Sequence, residues 1–354
     1  MKRLIVILTL AIFALVLWYQ FSTEKTSPTE TTGQSVITTN SPAERIAQKR
    51  AQRATQSEET STDSDSDEDL FEAKELSREQ IEAYLLRTKR SPESLLNAFW
   101  ETGDTNFLVE AVEKNPNNSI VQWAKLNTLS PEERGPWLEK LKTSSPDNAL
   151  PHYLSALDNL KSGNVEKGLA EMDLASQKKY SAFEQERMQS REEMYLLAGF
   201  SPVEAREAGM SGIAIPNLSE MKALAQQLDE LQKKYIAAGD SKSAHQLTLL
   251  GIEAGRKMDQ PTALLINTLV GSAMETIALR NLGRDTFYEF LGKTAGQRLQ
   301  ELKDQKQKIK SLMPALVIYP GLPDTEKLIY WDRMKIYGEL EAMRWLQRTY
   351  GDPK

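Results

Sequence analysis

Apolar residues follow three different patterns along this chain. From Leu4 to Tyr19 they run almost without interruption, sixteen residues with no charge. Across residues 22–70 they nearly vanish. From residue 71 onward they return every three or four positions, the spacing of one face of an α-helix. The periodic part first predicts three helix pairs. Leu95, Leu96, Phe99 and Trp100 form a stripe, Gly103 and Asp104 a turn, and Phe107, Leu108, Ala111 and Val112 the returning stripe. The second pair passes through Trp123 and Leu126, turns at Ser130 and Pro131, and returns through Trp137, Leu138 and Leu141. The third passes through Tyr153, Ala156 and Leu160, turns at Gly163 and Asn164, and returns through Val165, Leu169, Met172 and Ala175.

A second helical set follows. Residues 195–208 continue as helix with a break at 199–202, and 209–216 read as a linker. Leu218, Met221, Leu224, Leu228, Leu231 and Tyr235 keep helical spacing up to a turn at Gly239 and Asp240. Ala244, Leu247, Leu250 and Ala254 carry the next helix. Residues 262–282 are apolar on more than one face, as a central helix would be. Asn267, Thr268, Ser272 and Glu275 interrupt that stretch too often for a membrane span. One long amphipathic helix is expected over 286–312 and a last one over 324–350. The strand-like run between them, within 314–323, is too short and proline-bound to imply a sheet. Start signals agree with helix throughout. Ser77, Ser130, Ser181 and Ser201 each stand three residues before Gln or Glu, so the two side chains can satisfy each other's free backbone donors.

One phrase occurs twice in residues 116–175. Pro116 and Pro146 each lead through an asparagine into a helix with an aromatic seven residues on, Trp123 and Tyr153, and the two phrases lie thirty residues apart. That is close to the period of helical-hairpin repeats. The third pair resembles a tetratricopeptide repeat, with Ala156, Gly163, Val165, Gly168, Met172 and Ala175 at the pattern's positions. Small residues there let two helices approach, and the large one fills the groove between them. Asn159 stands where an aromatic is usual and His152 where tryptophan or leucine is usual. The resemblance covers about residues 91–180. It implies an all-α, right-handed solenoid of helix hairpins, here over 71–212; the helical spacing beyond it predicts a second bundle over 213–354. It also implies a concave groove for an extended peptide, which would be lined by Trp123 and Tyr153 with Lys125 and Lys161 nearby. The competing assignment puts Trp123 and Tyr153 in the core between repeats.

The ends of the chain add a location. Lys2 and Arg3 precede the continuous apolar run, which closes on Trp18, Tyr19 and Phe21 rather than on small residues of a cleavage site. Residues 1–21 are therefore expected to be a retained signal anchor, amino terminus in the cytoplasm and body extracytoplasmic, periplasmic if the cell is bacterial. Secretion after cleavage is the alternative. Residues 22–70 hold five basic and ten acidic side chains among Ser, Thr and Gln, which predicts a disordered tether. Ser41, Pro42 and Glu44 offer one marginal helix start inside it.

Composition narrows the chemistry. With no cysteine, disulfides, thiol nucleophiles and thiolate metal sites are excluded. The formal net charge is −6, and the body shows no clustered Lys and Arg excess, so nucleic acid is not an expected partner. His152 and His245 stand apart, without a ligand or acid at helical spacing, and no phosphate loop, dinucleotide fingerprint or nucleophile elbow occurs. No catalytic, cofactor or metal residue is therefore assigned. The sequence points to a membrane-anchored, non-enzymatic scaffold or adaptor for a protein or peptide partner. A structural subunit of a membrane-associated assembly is the alternative, and a carboxylate-based hydrolase a more distant one.

Overall fold

A computed structural model describes residues 75–211, 213, 215–260 and 264–351. The anchor and tether assigned to residues 1–70 lie outside the described residues. Among the described residues the fold is built from fifteen α-helices and one two-residue hairpin, and no helix is long and apolar enough to cross a membrane.

The front half contains α1 (Arg78–Arg87), α2 (Pro92–Thr102), α3 (Thr105–Lys114), α4 (Ser119–Leu126), α5 (Gly135–Ser144), α6 (Leu150–Lys161) and α7 (Val165–Ser176). Helices α2 and α3, α4 and α5, and α6 and α7 pack as consecutive pairs, at the turns the pattern predicted. Gly103 and Gly163 take φ of 73° and 78° at two of those turns, a conformation cheap only for glycine. Gly168 explains the closeness of the third pair: a Cβ there would sit 2.7 Å from Leu160 Cγ.

Then come α8 (Glu184–Leu197), α9 (Pro202–Met210), α10 (Asn217–Ala237), α11 (Ser241–Met258) and α12 (Leu265–Leu279). Helix α8 packs on α2, and α10 on α6. Helix α6 consequently has neighbours nearly all round, and nine of its twelve residues are buried. Arg134 ties this junction together, donating to Asp158 of α6 and to Glu220 of α10. The largest hydrophobic cluster runs from Ile81 to Met274 through both helical sets, with four smaller clusters beside it. Helices α11 and α12 cross closely enough that a Cβ on Gly255 would lie 2.5 Å from the Gly271 carbonyl oxygen.

Three expectations need correction. Residues 286–312 are not one helix. Phe287–Tyr288 (β1) pairs antiparallel with Lys293–Thr294 (β2), and α13 (Ala295–Leu312) starts only after it. Gly292 turns the chain at φ 65°, and Thr294 with Gln297 forms a reciprocal cap. The last helix is likewise two, α14 (Asp324–Tyr337) and α15 (Glu339–Tyr350), because Gly338 adopts φ 86° and ψ 164°. The Ser77 and Ser201 caps form as reciprocal boxes. The Ser130 and Ser181 signals do not open helices. Ser130 N–H donates to Glu133 within a turn before α5, and Phe183 at φ 60° delays α8 to Glu184. Residues 313–321 form two short 3-10 turns between α13 and α14.

Candidate functional site

The two aromatics expected along a groove are buried. Trp123 on α4 and Tyr153 on α6 are 2% and 1% exposed. Helix α8 lies over the first of them: the Phe183 ring is 6.1 Å from Trp123, and the Arg187 guanidinium rests 4.3 Å from Trp100 and 4.8 Å from Trp123. Burial lowers the Arg187 guanidinium to about 10, against the opposing pull of Glu184 one turn earlier. Burial in turn raises the Glu184 carboxyl and pushes the Tyr153 phenol up. Lys125 and Lys161 occupy the last turns of α4 and α6, where a cation meets the negative helix end. Trp123 and Tyr153 are core.

His152 is less isolated than its sequence neighbours suggest. Its Nδ1 lies 2.7 Å from Glu171 Oε2 on α7, and Lys142 Nζ of α5 donates to the other carboxylate oxygen at 2.5 Å. Lys142 also donates to Ser155 Oγ at 3.2 Å. Burial would raise the Glu171 pKa, but its hydrogen bonds from His152 and Lys142 outweigh that and hold it down to about 2. The group resembles a relay on paper. Yet Ser155 sits in mid-helix, where the backbone N–H groups are spent within the helix and offer no oxyanion site. The cluster joins α5, α6 and α7. His245 is exposed and stacks edge-on against Tyr288 at 5.5 Å.

A cleft of about 360 Å³ opens between α11, α12 and α13. Its charges are mutually spent. Glu275, 2% exposed, accepts from Arg298 twice at 2.7 Å and from Arg256 at 3.3 Å. Asp259 accepts from Thr268 and, at 3.4 Å, from Gln305. Two guanidinium groups face two carboxylates, which leaves a ligand no net charge to meet. Among the described residues no group of three or more His, Asp or Glu is placed to hold a metal ion.

Among the described residues, one exposed apolar surface lies on the outer face of α14. Ile329, Arg333, Ile336 and Tyr337 fall on one side of that helix by its 3.6-residue period. Ile329, Ile336 and Tyr337 are 44%, 60% and 52% exposed. Arg333 lies among them, 5.5 Å from the Tyr337 ring and 5.6 Å from the Trp345 ring of α15. Among the described residues it makes no salt bridge, and its Nε is buried without a hydrogen-bond partner. The apolar stripe of the last helix did not mark these residues. The available signal was that Ile329, Ile336 and Tyr337 lie off the stripe of Leu328, Trp331 and Met334. Comparisons with protein-family models, with curated proteins and with solved structures find no match.

Proposed function

We propose that this chain is a membrane-anchored interaction scaffold, a tetratricopeptide-like right-handed stack of helix hairpins extended by a second helical bundle. The signal anchor holds the body on the extracytoplasmic side at the end of its tether. Its partner is a protein, taken on the outer face of α14 and α15 rather than in a concave groove. The observation that carries this reading is Arg333, sandwiched between Tyr337 and Trp345 and rimmed by exposed Ile329 and Ile336. Arginine, tyrosine and tryptophan are the residues on which binding energy concentrates at protein interfaces. Exposed isoleucines around them supply the apolar area that association buries. Filling of the inner face by α8 and α10 supports the same conclusion, since it leaves the outer helices as the available surface.

The test uses the full chain in its own cell membrane, with a photoreactive residue in place of Ile336. A single adduct that saturates with partner level is expected. Tyr337→Ala should weaken that capture at least about tenfold, as loss of an interface anchor does, while the melting temperature stays within experimental error. Scattered adducts, or capture untouched by Tyr337→Ala, would remove the scaffold surface from α14.

A further inference from the structure

Arg333 is held so that one edge of its guanidinium is left for a partner. The group lies against the Tyr337 and Trp345 rings, at 5.5 and 5.6 Å, and its Nε is buried. Neither Nη atom is buried in that way, and neither joins a hydrogen bond or salt bridge among the described residues. The far edge of the fork therefore reaches solvent. The charges beside it are already met. Asp332 pairs with Arg206 at 2.7 Å, Lys335 pairs with Glu192, and the Tyr350 hydroxyl donates to Glu326. On this side of α14, Arg333 is thus a single positive charge among Ile329, Ile336 and Tyr337. A phosphoryl group would bring close to two negative charges and leave one unbalanced against the isoleucines. A second copy does not fit either: a twofold contact centred on this stripe sets Arg333 opposite its own copy, and like charges there oppose association. One carboxylate matches both the charge and the shape, since its two oxygens accept from the parallel N–H groups of the Nη pair. Spacing adds a second requirement. Ile329 and Ile336 flank Arg333 at about 4–6 Å along the helix axis, one on each side.

We infer that the partner segment taken on this face is a stretch of another protein with one Asp or Glu between large apolar side chains. Its carboxylate sits end-on against both Nη groups of Arg333, and its apolar side chains cover Ile329, Ile336 and Tyr337. The inference rests on the proposed function in taking that face as the binding surface. It adds the selection rule. The isoleucines and Tyr337 supply contact area to any apolar segment, whereas Arg333 rejects one that would bury the guanidinium without an anion.

Short random peptides displayed on phage and selected on the full chain in lipid nanodiscs read this rule. Enriched sequences are expected to hold one Asp or Glu with a large apolar residue within one helical turn on each side. The best of them, synthesised with Glu and with Gln at that position, should differ at least about tenfold in Kd, as a desolvated charge pair at an interface does. Arg333→Gln should erase that difference, and Arg333→Glu should turn the preference toward a Lys version of the same peptide. Arg333→Lys, which keeps the charge and loses the fork, should retain part of it. No enrichment, enriched peptides without an acid, or a Glu preference that survives Arg333→Gln would each overturn the inference. If acid-free peptides are enriched and displace the partner captured at Ile336, the proposed function stands and only the carboxylate is lost. Acid-dependent peptides with no partner captured at Ile336 give the reverse.

Discussion

The molecule contains one arrangement in two settings. Arg187 lies against Trp100 and Trp123, and Arg333 lies against Tyr337 and Trp345. The first is 5% exposed and sits beneath α8, where its charge is desolvated and its guanidinium lowered to about 10. The second stands at the surface beside side chains about half exposed. A cation over an aromatic face is worth about 0.5–1 kcal/mol in the open and about 2 or more when desolvated. The inner cluster therefore serves to seat α8 on α2 and α4. The outer one lies on the face of α14 where Ile329, Ile336 and Tyr337 are open to solvent. Similar residue chemistry ends in full burial in one place and partial exposure in the other because a helix covers only the first.

The contrast breaks most sharply at Trp123. Trp123→Ala should cost about 3–5 kcal/mol, the usual loss for an aromatic removed from a packed core, measured by thermal or denaturant unfolding. An unchanged melting temperature would mean that α8 does not seal the inner face. Glu171→Gln tests the ionic part of the same region. The Glu171 pKa is about 2 in the fold, below its unfolded value of about 4.3. Its contribution is thus fully present above pH 4–5 and disappears as pH falls through the folded value. On the order of 2 kcal/mol of stability should be lost between pH 5 and pH 2 in the wild type and be absent from the Gln variant. Equal acid sensitivity in both would place the acid-labile pair elsewhere. Gly338→Ala is the smaller perturbation and acts on the outer cluster. At φ 86° and ψ 164° an alanine is strained by about 1–2 kcal/mol. It should loosen α15 against α14, so Trp345 fluorescence is expected to shift while the front half keeps its hydrogen-exchange protection. Loss of protection throughout would show that the last hairpin and the front half unfold as one unit.

Much of the helical order was legible in the sequence, and the reasons are local. The stripe through Leu95 and Phe99, the turn at Gly103, the turn at Gly163 and the caps at Ser77 and Ser201 each depend on residues within a few positions of one another. The failures were also local in origin but hidden by periodicity. Phe287, Phe290 and Leu291 keep a helix-compatible spacing, although Gly292 and the Thr294 cap put a hairpin there. Leu328 to Leu346 reads as one stripe across Gly338 because the apolar period resumes almost in phase after the break. The candidate site fared differently. Aromatics at matching positions of two repeats pointed to Trp123 and Tyr153, but position within a repeat cannot tell an open groove from a covered one.

Sequence alone fixed the helical class, the consecutive pairing of α2 through α7 and the lack of thiol chemistry, since these follow from spacing, turn residues and composition. Tertiary structure decided which aromatic faces are sealed and which are left open. It brought Arg187 from α8 onto Trp123, sixty-four positions away, and left Arg333 only partly buried. Burial is a property of what packs over a residue, and here the covering helix is distant along the chain, beyond the range of any periodic pattern.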